Sequence, residues 1–278
     1  RDDILGAVDD VFKNGPLIFG PRLEEFEDKF SDFHQCKYGI GVGNCTDAIT
    51  IALKALDVGL GDEVLTTSNT AVPTVTAIVN TGASVKFVDI NKYSLMDISK
   101  IENQITKNTK AIIPVHLYGQ MCEMDEIMKI SKKYNLKVIE DCAQSHGATY
   151  KGKKAGSIGD VGCYSFYPTK IFGAYGDGGF ITTNNELVFD RMRRIRFLGM
   201  EKKKMSSGHW NGKYYAIEHG TNSRLDEVHA AIMLKKLPYL DEWIKRRREI
   251  AKNYYNELNG LDLRLPIEHP DNKHAYYI

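Results

Sequence analysis

Between residues 38 and 197, short apolar β-type runs alternate with segments of helical period, and this alternation narrows the possible folds further than any other feature of the chain. Tyr38–Val42 reads as a strand and Thr46–Leu56 as a helix, with apolar residues at 48, 49, 52, 53, 55 and 56. Glu63–Thr66 is a strand, and Val72–Asn80 is a helix whose Pro73 suits a first turn. The pattern continues with strands Val85–Asp89 and Lys110–Val115 around a short helix Ser99–Gln104. Helix Met124–Tyr134, strands Leu136–Glu140, Gly162–Phe166 and Gly179–Thr183, and helix Glu186–Phe197 complete it. Such βαβ succession predicts an α/β fold with a mostly parallel sheet covered by helices on both faces. In sheets of that kind ligands gather beyond the carboxyl ends of the strands. The residues that follow strands are therefore the candidates for chemistry.

Residues 198–223 read as a long polar loop, followed by helices Arg224–Lys236 and Tyr239–Leu258 separated at Pro238. Gly260–Pro266 reads as the start of a β-rich segment. The expected division is a large domain over 1–239 and the beginning of a smaller α+β domain over 240–278. The sequence starts at Arg1, not Met, and stops at His274-Ala-Tyr-Tyr-Ile278, inside what reads as the first strand of that smaller domain, which is expected to be incomplete. No internal repeat or low-complexity tract interrupts the chain.

Composition excludes several function classes. The formal charge is +1, so no global field attracts nucleic acid or an anionic membrane. The basic clusters Arg191–Arg196 and Lys245–Arg248 lie in helical sequence and read as solvated faces. The five cysteines are scattered without a CxxC pair, which argues against a disulfide framework or zinc site and for a reducing, cytoplasmic setting. No apolar run approaches the ~18 residues of a membrane span.

Three constellations follow predicted strands. Gly41-Val-Gly-Asn-Cys-Thr-Asp47 lies between a strand and a helix, where free N–H groups attract a phosphate. Thr46 or Asp47 could equally be a plain helix cap. The stretch is neither GxGxxG nor a Walker loop. In Val138-Ile-Glu-Asp-Cys-Ala-Gln-Ser-His146, the adjacent Glu140 and Asp141 point to opposite sides of a strand, so one carboxylate can enter a site while the other faces away. No HExxH or clustered ligand set points to a metal. In Cys163–Gly179, Lys170 stands between an aromatic run and a loop holding Gly173, Gly176, Gly178 and Gly179. A lysine so placed is either a snorkelling surface residue or an amine nucleophile for Schiff-base chemistry. An acid for a pyridine nitrogen, a phosphate cup and such an amine together describe a site for pyridoxal 5′-phosphate (PLP).

These motifs, together with Gly15-Pro-Leu-Ile-Phe-Gly-Pro21, Pro114-Val-His-Leu-Tyr-Gly119 and Asn222-Ser-Arg-Leu-Asp226, resemble the DegT/DnrJ/EryC1/StrS sugar aminotransferases almost end to end. The resemblance implies an aspartate-aminotransferase-like fold (PLP fold type I) with a three-layer large domain. It implies that Lys170 bonds PLP through its amine and later shuttles the proton, and that Asp141 pairs with the pyridine nitrogen. Gln144 would lie near the phenolic oxygen. Thr46, Asp47 (through its N–H) and Ser165 would bind the phosphate, and Asn222 would reach the phosphate of the neighbouring subunit of a homodimer. His116, Tyr118, His146 and Tyr175 are candidates for the substrate; His116 and His146 could equally be structural, Tyr118 could be core, and Arg224 could equally form an ion pair.

Two positions depart from the family pattern: Ala71 stands where many relatives have an aromatic residue on the cofactor ring, and Cys45 replaces a common glycine. A related branch carries histidine in place of the lysine and dehydrates the sugar, so Lys170 points to transamination. The stretch Phe166–Gly179 resembles the subgroup acting at C3 of the sugar. The implied reaction passes an amino group from L-glutamate to a dTDP-3-keto-6-deoxyhexose; a UDP-linked 3-keto or 4-keto N-acetyl sugar is the alternative, and a non-catalytic regulatory protein binding PLP or a sugar nucleotide is a third reading.

Overall fold

The computed structural model describes residues 1–200 and 215–278. Two helices open the chain, α1 (Asp2–Asn14) and α2 (Pro21–Phe33). The alternating region follows: β1 (Tyr38–Val42), α3 (Cys45–Ala55), β2 (Glu63–Thr67), α4 (Val72–Asn80), β3 (Ser84–Val88), α5 (Ile98–Ile101), β4 (Thr109–Ile112), α6 (Met124–Tyr134) and β5 (Lys137–Asp141). A two-residue hairpin, β6 (Thr149–Tyr150) and β7 (Lys153–Lys154), precedes β8 (Val161–Ser165), β9 (Gly179–Thr183) and α7 (Glu186–Ile195). The chain ends in α8 (Glu227–Lys236), α9 (Leu240–Leu258) and β10 (Asn272–Lys273).

Seven strands form one sheet in the order β1-β9-β8-β5-β4-β2-β3. Only β9 runs against its neighbours, so the other six point the same way and their carboxyl ends share one edge. Side-chain parity sorts the strand residues into two cores, as the two-residue period requires. Leu65, Ile112, Val138, Tyr164 and Phe180 join one cluster with α2 and α6, whereas Val64, Ala111, Ile139, Cys163 and Ile181 join the other with α3. The result is the expected three-layer α/β arrangement.

The N-terminal helices are stronger structure than the sequence pattern suggests. Gly20 N, Arg22 N and Leu23 N donate to the buried carboxylate of Glu227 at 2.8, 3.0 and 2.9 Å, so a residue of α8 satisfies the start of α2. Phe26 and Phe30 of α2 then pack on Phe166, Phe172 and Phe180 with ring centroids 4.7–6.3 Å apart. Two expectations change. Helix α8 starts at Glu227, not at Arg224, because Asp226 caps it by accepting from His229 N at 2.8 Å. Gly260–Pro266 forms no strand; the β structure there is β10, which pairs with β6 in a separate three-stranded sheet. Of the expected loop 198–223, residues 201–214 lie outside the described residues.

Candidate active site

The segments after β1, β2, β5 and β8 converge at the shared sheet edge. Lys170 lies in the turn after β8, its N–H donating to Tyr167 O at 2.9 Å. Buried Phe166, Ile171 and Phe172 pin that turn from both sides. The Lys170 Nζ lies 4.4 Å from the centroid of the Tyr277 ring, and among the described residues no carboxylate pairs with it. The glycines after it are close-packing positions. A Cβ on Gly173 would meet Pro168 O at 2.4 Å, and one on Gly179 would meet Asn44 C at 2.5 Å. The second approach presses β9 against the loop at the start of α3.

That loop is the candidate phosphate cup, and its donors differ from the sequence expectation. Asn44 is the helix cap: its Oδ1 accepts from Asp47 N at 2.8 Å. The Asp47 N–H, which the sequence expectation assigned to the phosphate, is thereby given to the cap. The Asp47 carboxylate accepts from Ser223 Oγ at 2.6 Å, and Ser223 in turn accepts from Gly43 N at 2.9 Å. Among the described residues nothing accepts from Cys45 N or Thr46 N, the first donors of the helix. Ser165 follows on β8, buried, with its Oγ accepting from Tyr167 N at 3.3 Å. Asn222, beside Ser223, is exposed and its backbone bridges to Phe197.

Glu140 and Asp141 do face opposite sides of β5. Glu140 is wholly buried and accepts four N–H groups: His116 Nε2 at 2.8 Å, Gly156 N at 2.9 Å, Ile158 N at 2.8 Å and Gly159 N at 2.6 Å. Burial alone would raise its pKa; the bonds from His116 and the backbone amides outweigh burial and hold the carboxyl below its usual range. His116 Nδ1 accepts from Cys122 N at 3.2 Å, so the Nε2 carries the hydrogen given to Glu140. With both ring nitrogens used and no exposed surface, His116 is a structural histidine and not a substrate contact. Cys142 lies close enough to complete a His/Glu/Cys trio, but the four N–H donors already occupy the Glu140 oxygens, so the trio is a hydrogen-bond hub.

Asp141 faces the cup and α4. Its Oδ2 accepts from Thr74 Oγ1 at 2.7 Å and its Oδ1 from Ala143 N at 3.1 Å. Burial, with the Asp141 charge next, pushes the Cys45 thiol pKa well up. Gln144 Oε1 accepts from Tyr118 N at 2.7 Å, so its NH₂ is the end free to donate. Tyr118 adopts φ +61° and its carbonyl accepts from Tyr277 N at 2.8 Å. His146 is buried among Tyr164, Phe166 and Phe172; burial, with the Lys170 charge second, pushes its pKa down to about 3, so it stays neutral. Tyr175 is 67% exposed at the loop tip, and Arg224 stacks on Phe197 at 5.9 Å. Ala71 is the exposed cap residue of α4 and offers no ring. Sequence reasoning passed over Thr74, Ser223 and Tyr277, which touch the acid, the cup and the amine. Thr74 lies three residues past Ala71, and Ser223 adjoins Asn222.

An unpaired amine, an oriented acid, free helix-start N–H groups and an amide donor fit a phosphorylated pyridine aldehyde in the chemistry of each donor. The comparisons agree. The chain is 46% identical, over all of its length and 74% of the relative, to the dTDP-3-amino-3,6-dideoxy-alpha-D-galactopyranose transaminase of Aneurinibacillus thermoaerophilus. It is 40% identical, over 99% of its length and 74% of the relative, to the UDP-2-acetamido-2-deoxy-3-oxo-D-glucuronate aminotransferase of Pseudomonas aeruginosa. It superposes on NtdA of Bacillus subtilis, a crystal structure with bound pyridoxamine phosphate, with TM-score 0.88 and 36% identity over 99% of this chain and 62% of that one. The family model for DegT/DnrJ/EryC1/StrS aminotransferases matches residues 1–278. The chain belongs to the DegT/DnrJ/EryC1/StrS aminotransferase family and is a PLP-dependent sugar aminotransferase.

Proposed function

We propose that the enzyme moves an amino group from L-glutamate to C3 of a dTDP-linked 3-keto-6-deoxyhexose, giving a 3-amino-3,6-dideoxyhexose. The 46% identity to the Aneurinibacillus transaminase supports this substrate, and the Lys170 amine, which pairs with no carboxylate among the described residues, supports the chemistry. When bound, PLP supplies a reactive aldehyde carbon and a pyridine ring that withdraws electrons.

The chain's own groups do the rest. Lys170 would provide the amine that anchors the cofactor and, once released, would take a proton from the carbon bearing the donor nitrogen and return it to the carbon on the far side of that nitrogen. Asp141 would hold the pyridine N–H, Cys45 N, Thr46 and Ser165 would hold the phosphate, and the Gln144 NH₂ would donate to the phenolic oxygen. The chain acts as a homodimer, with exposed Asn222 lent to the neighbour's phosphate. Tyr118 and Tyr175, both exposed, are the candidates to meet the nucleotide-linked sugar, whereas buried His146 would act only through the core. A large domain over 1–239 carries this machinery, and α9 opens the smaller one.

A UDP-linked 3-keto sugar is the alternative, favoured by the 40% identity to the Pseudomonas enzyme. The purified holoenzyme, given glutamate and a panel of dTDP- and UDP-keto sugars, separates the two, with NMR locating the carbon that bears nitrogen. Lys170→Ala should abolish turnover and the spectral change that glutamate produces. Full turnover by that variant would sink the reading.

A further inference from the structure

Asp141 is held by a chain of two hydroxyls. Thr74, 1% exposed on α4, places Oγ1 2.7 Å from Asp141 Oδ2, and Thr70 Oγ1 lies 2.8 Å from Thr74 Oγ1. A carboxylate only accepts, so the Thr74 hydrogen goes to Asp141. That hydrogen is then spent, and the bond between the two threonines must run from Thr70 to Thr74. The direction Thr70 → Thr74 → Asp141 is fixed along the whole relay.

The relay stands on rigid structure. Thr70 and Thr74 are four residues apart across the first turn of α4, and Thr74 N donates to Ala71 O at 3.2 Å. A β-branched residue in a helix has few side-chain rotamers, so the Thr74 hydroxyl has little freedom. The other Asp141 oxygen takes the Ala143 N–H. Two of the carboxylate's roughly four acceptor sites are thus filled from opposite ends, which stops the group rotating and leaves room for a further N–H donor.

We propose that Thr74, backed by Thr70, is a positioning residue for Asp141: it fixes the plane in which the carboxylate meets the protonated pyridine nitrogen. This rests on the reading of Asp141 as that nitrogen's partner. Deleting the hydroxyl at constant shape frees the carboxylate to turn, the kind of loss that costs about ten- to a hundredfold when an outer hydrogen-bond partner is removed from a working group.

The test uses holoenzyme carrying PLP labelled with ¹⁵N in the ring. Thr74→Val should move the ring-nitrogen signal toward that of neutral pyridine, weaken PLP retention and slow the glutamate half-reaction about ten- to a hundredfold. Thr74→Ser, which restores the hydroxyl, should recover the signal and most of the rate. Thr70→Val should give a smaller change of the same sign. A wild-type signal in Thr74→Val, or no recovery in folded Thr74→Ser, overturns the proposal. Asp141→Asn separates the two levels: if it leaves the ring signal unmoved, the reading of Asp141 fails, whatever Thr74 does.

Discussion

Glu140→Gln tests whether the acid facing away from the site organises the strand end that carries the site. The side chains are nearly the same shape, so the change removes charge and turns one acceptor oxygen into a donor NH₂. In the native arrangement Oε2 takes His116 Nε2 and Gly156 N, and Oε1 takes Ile158 N and Gly159 N. A glutamine can keep one of those pairs. If its NH₂ faces Ile158 and Gly159, two buried backbone donors meet a donor. If it faces the other way, Gly156 N–H is orphaned and His116 must change tautomer, which sets its Nδ1 hydrogen against Cys122 N–H. Either way two buried donors lose their acceptor, at about 1–3 kcal/mol each, so the expected loss is about 2–6 kcal/mol. Equilibrium urea unfolding reads this as a lower midpoint at unchanged slope. The pH dependence gives a second check. The folded carboxyl is held below its unfolded value, so its contribution is full above the unfolded pKa and is lost as pH falls through the folded one. The gap between wild type and variant should therefore narrow as the solution is acidified below the ordinary carboxylate range. A variant with the wild-type midpoint at neutral pH, or a gap that stays constant into acid, would refute the hub.

Two further substitutions probe the supports of the site. Glu227→Ala leaves Gly20, Arg22 and Leu23 N–H without their acceptor, and the two buried donors, Gly20 and Leu23, should cost about 2–6 kcal/mol, with faster amide exchange in α2; an unchanged melting temperature would count against it. Gly179→Ala puts a methyl group 2.5 Å from Asn44 C and 2.9 Å from Cys45 N, so the cup must shift; PLP titration should show weaker binding, and an unaltered affinity would mean that the cup does not depend on this approach.

The alternating region was legible because its signal is local. Strand and helix periods depend on neighbouring residues, and β1, α4, α6 and β9 fall at their expected bounds. The failures have a tertiary cause. The acceptor that satisfies the start of α2 comes from Glu227, 204–207 positions away, and no window of sequence reveals it. Gly260–Pro266 has β-type composition but no strand to pair with there, since the Lys153–Lys154 and Thr149–Tyr150 hairpin takes Asn272 and Lys273 instead. Composition near a chain segment does not tell which edge will receive it.

The site divides along the same line. Parity alone said that Glu140 and Asp141 face apart, and they do. What each carboxylate does depends on what waits for it: on one side His116 and the turn at 156–159, on the other Thr74 from a helix 67 residues earlier. The cup shows why residue type is not enough. A helix start offers several N–H groups, and a cap and a phosphate compete for them. Asn44 takes the Asp47 N–H, which frees the Asp47 carboxylate to hold Ser223, and Ser223 reaches back to Gly43. Asp47 therefore serves the cup from underneath. Its neighbours Cys45 and Thr46 present the open donors, and the buried Cys45 side chain points into the core beneath α3, so a thiol in place of a glycine leaves the N–H open.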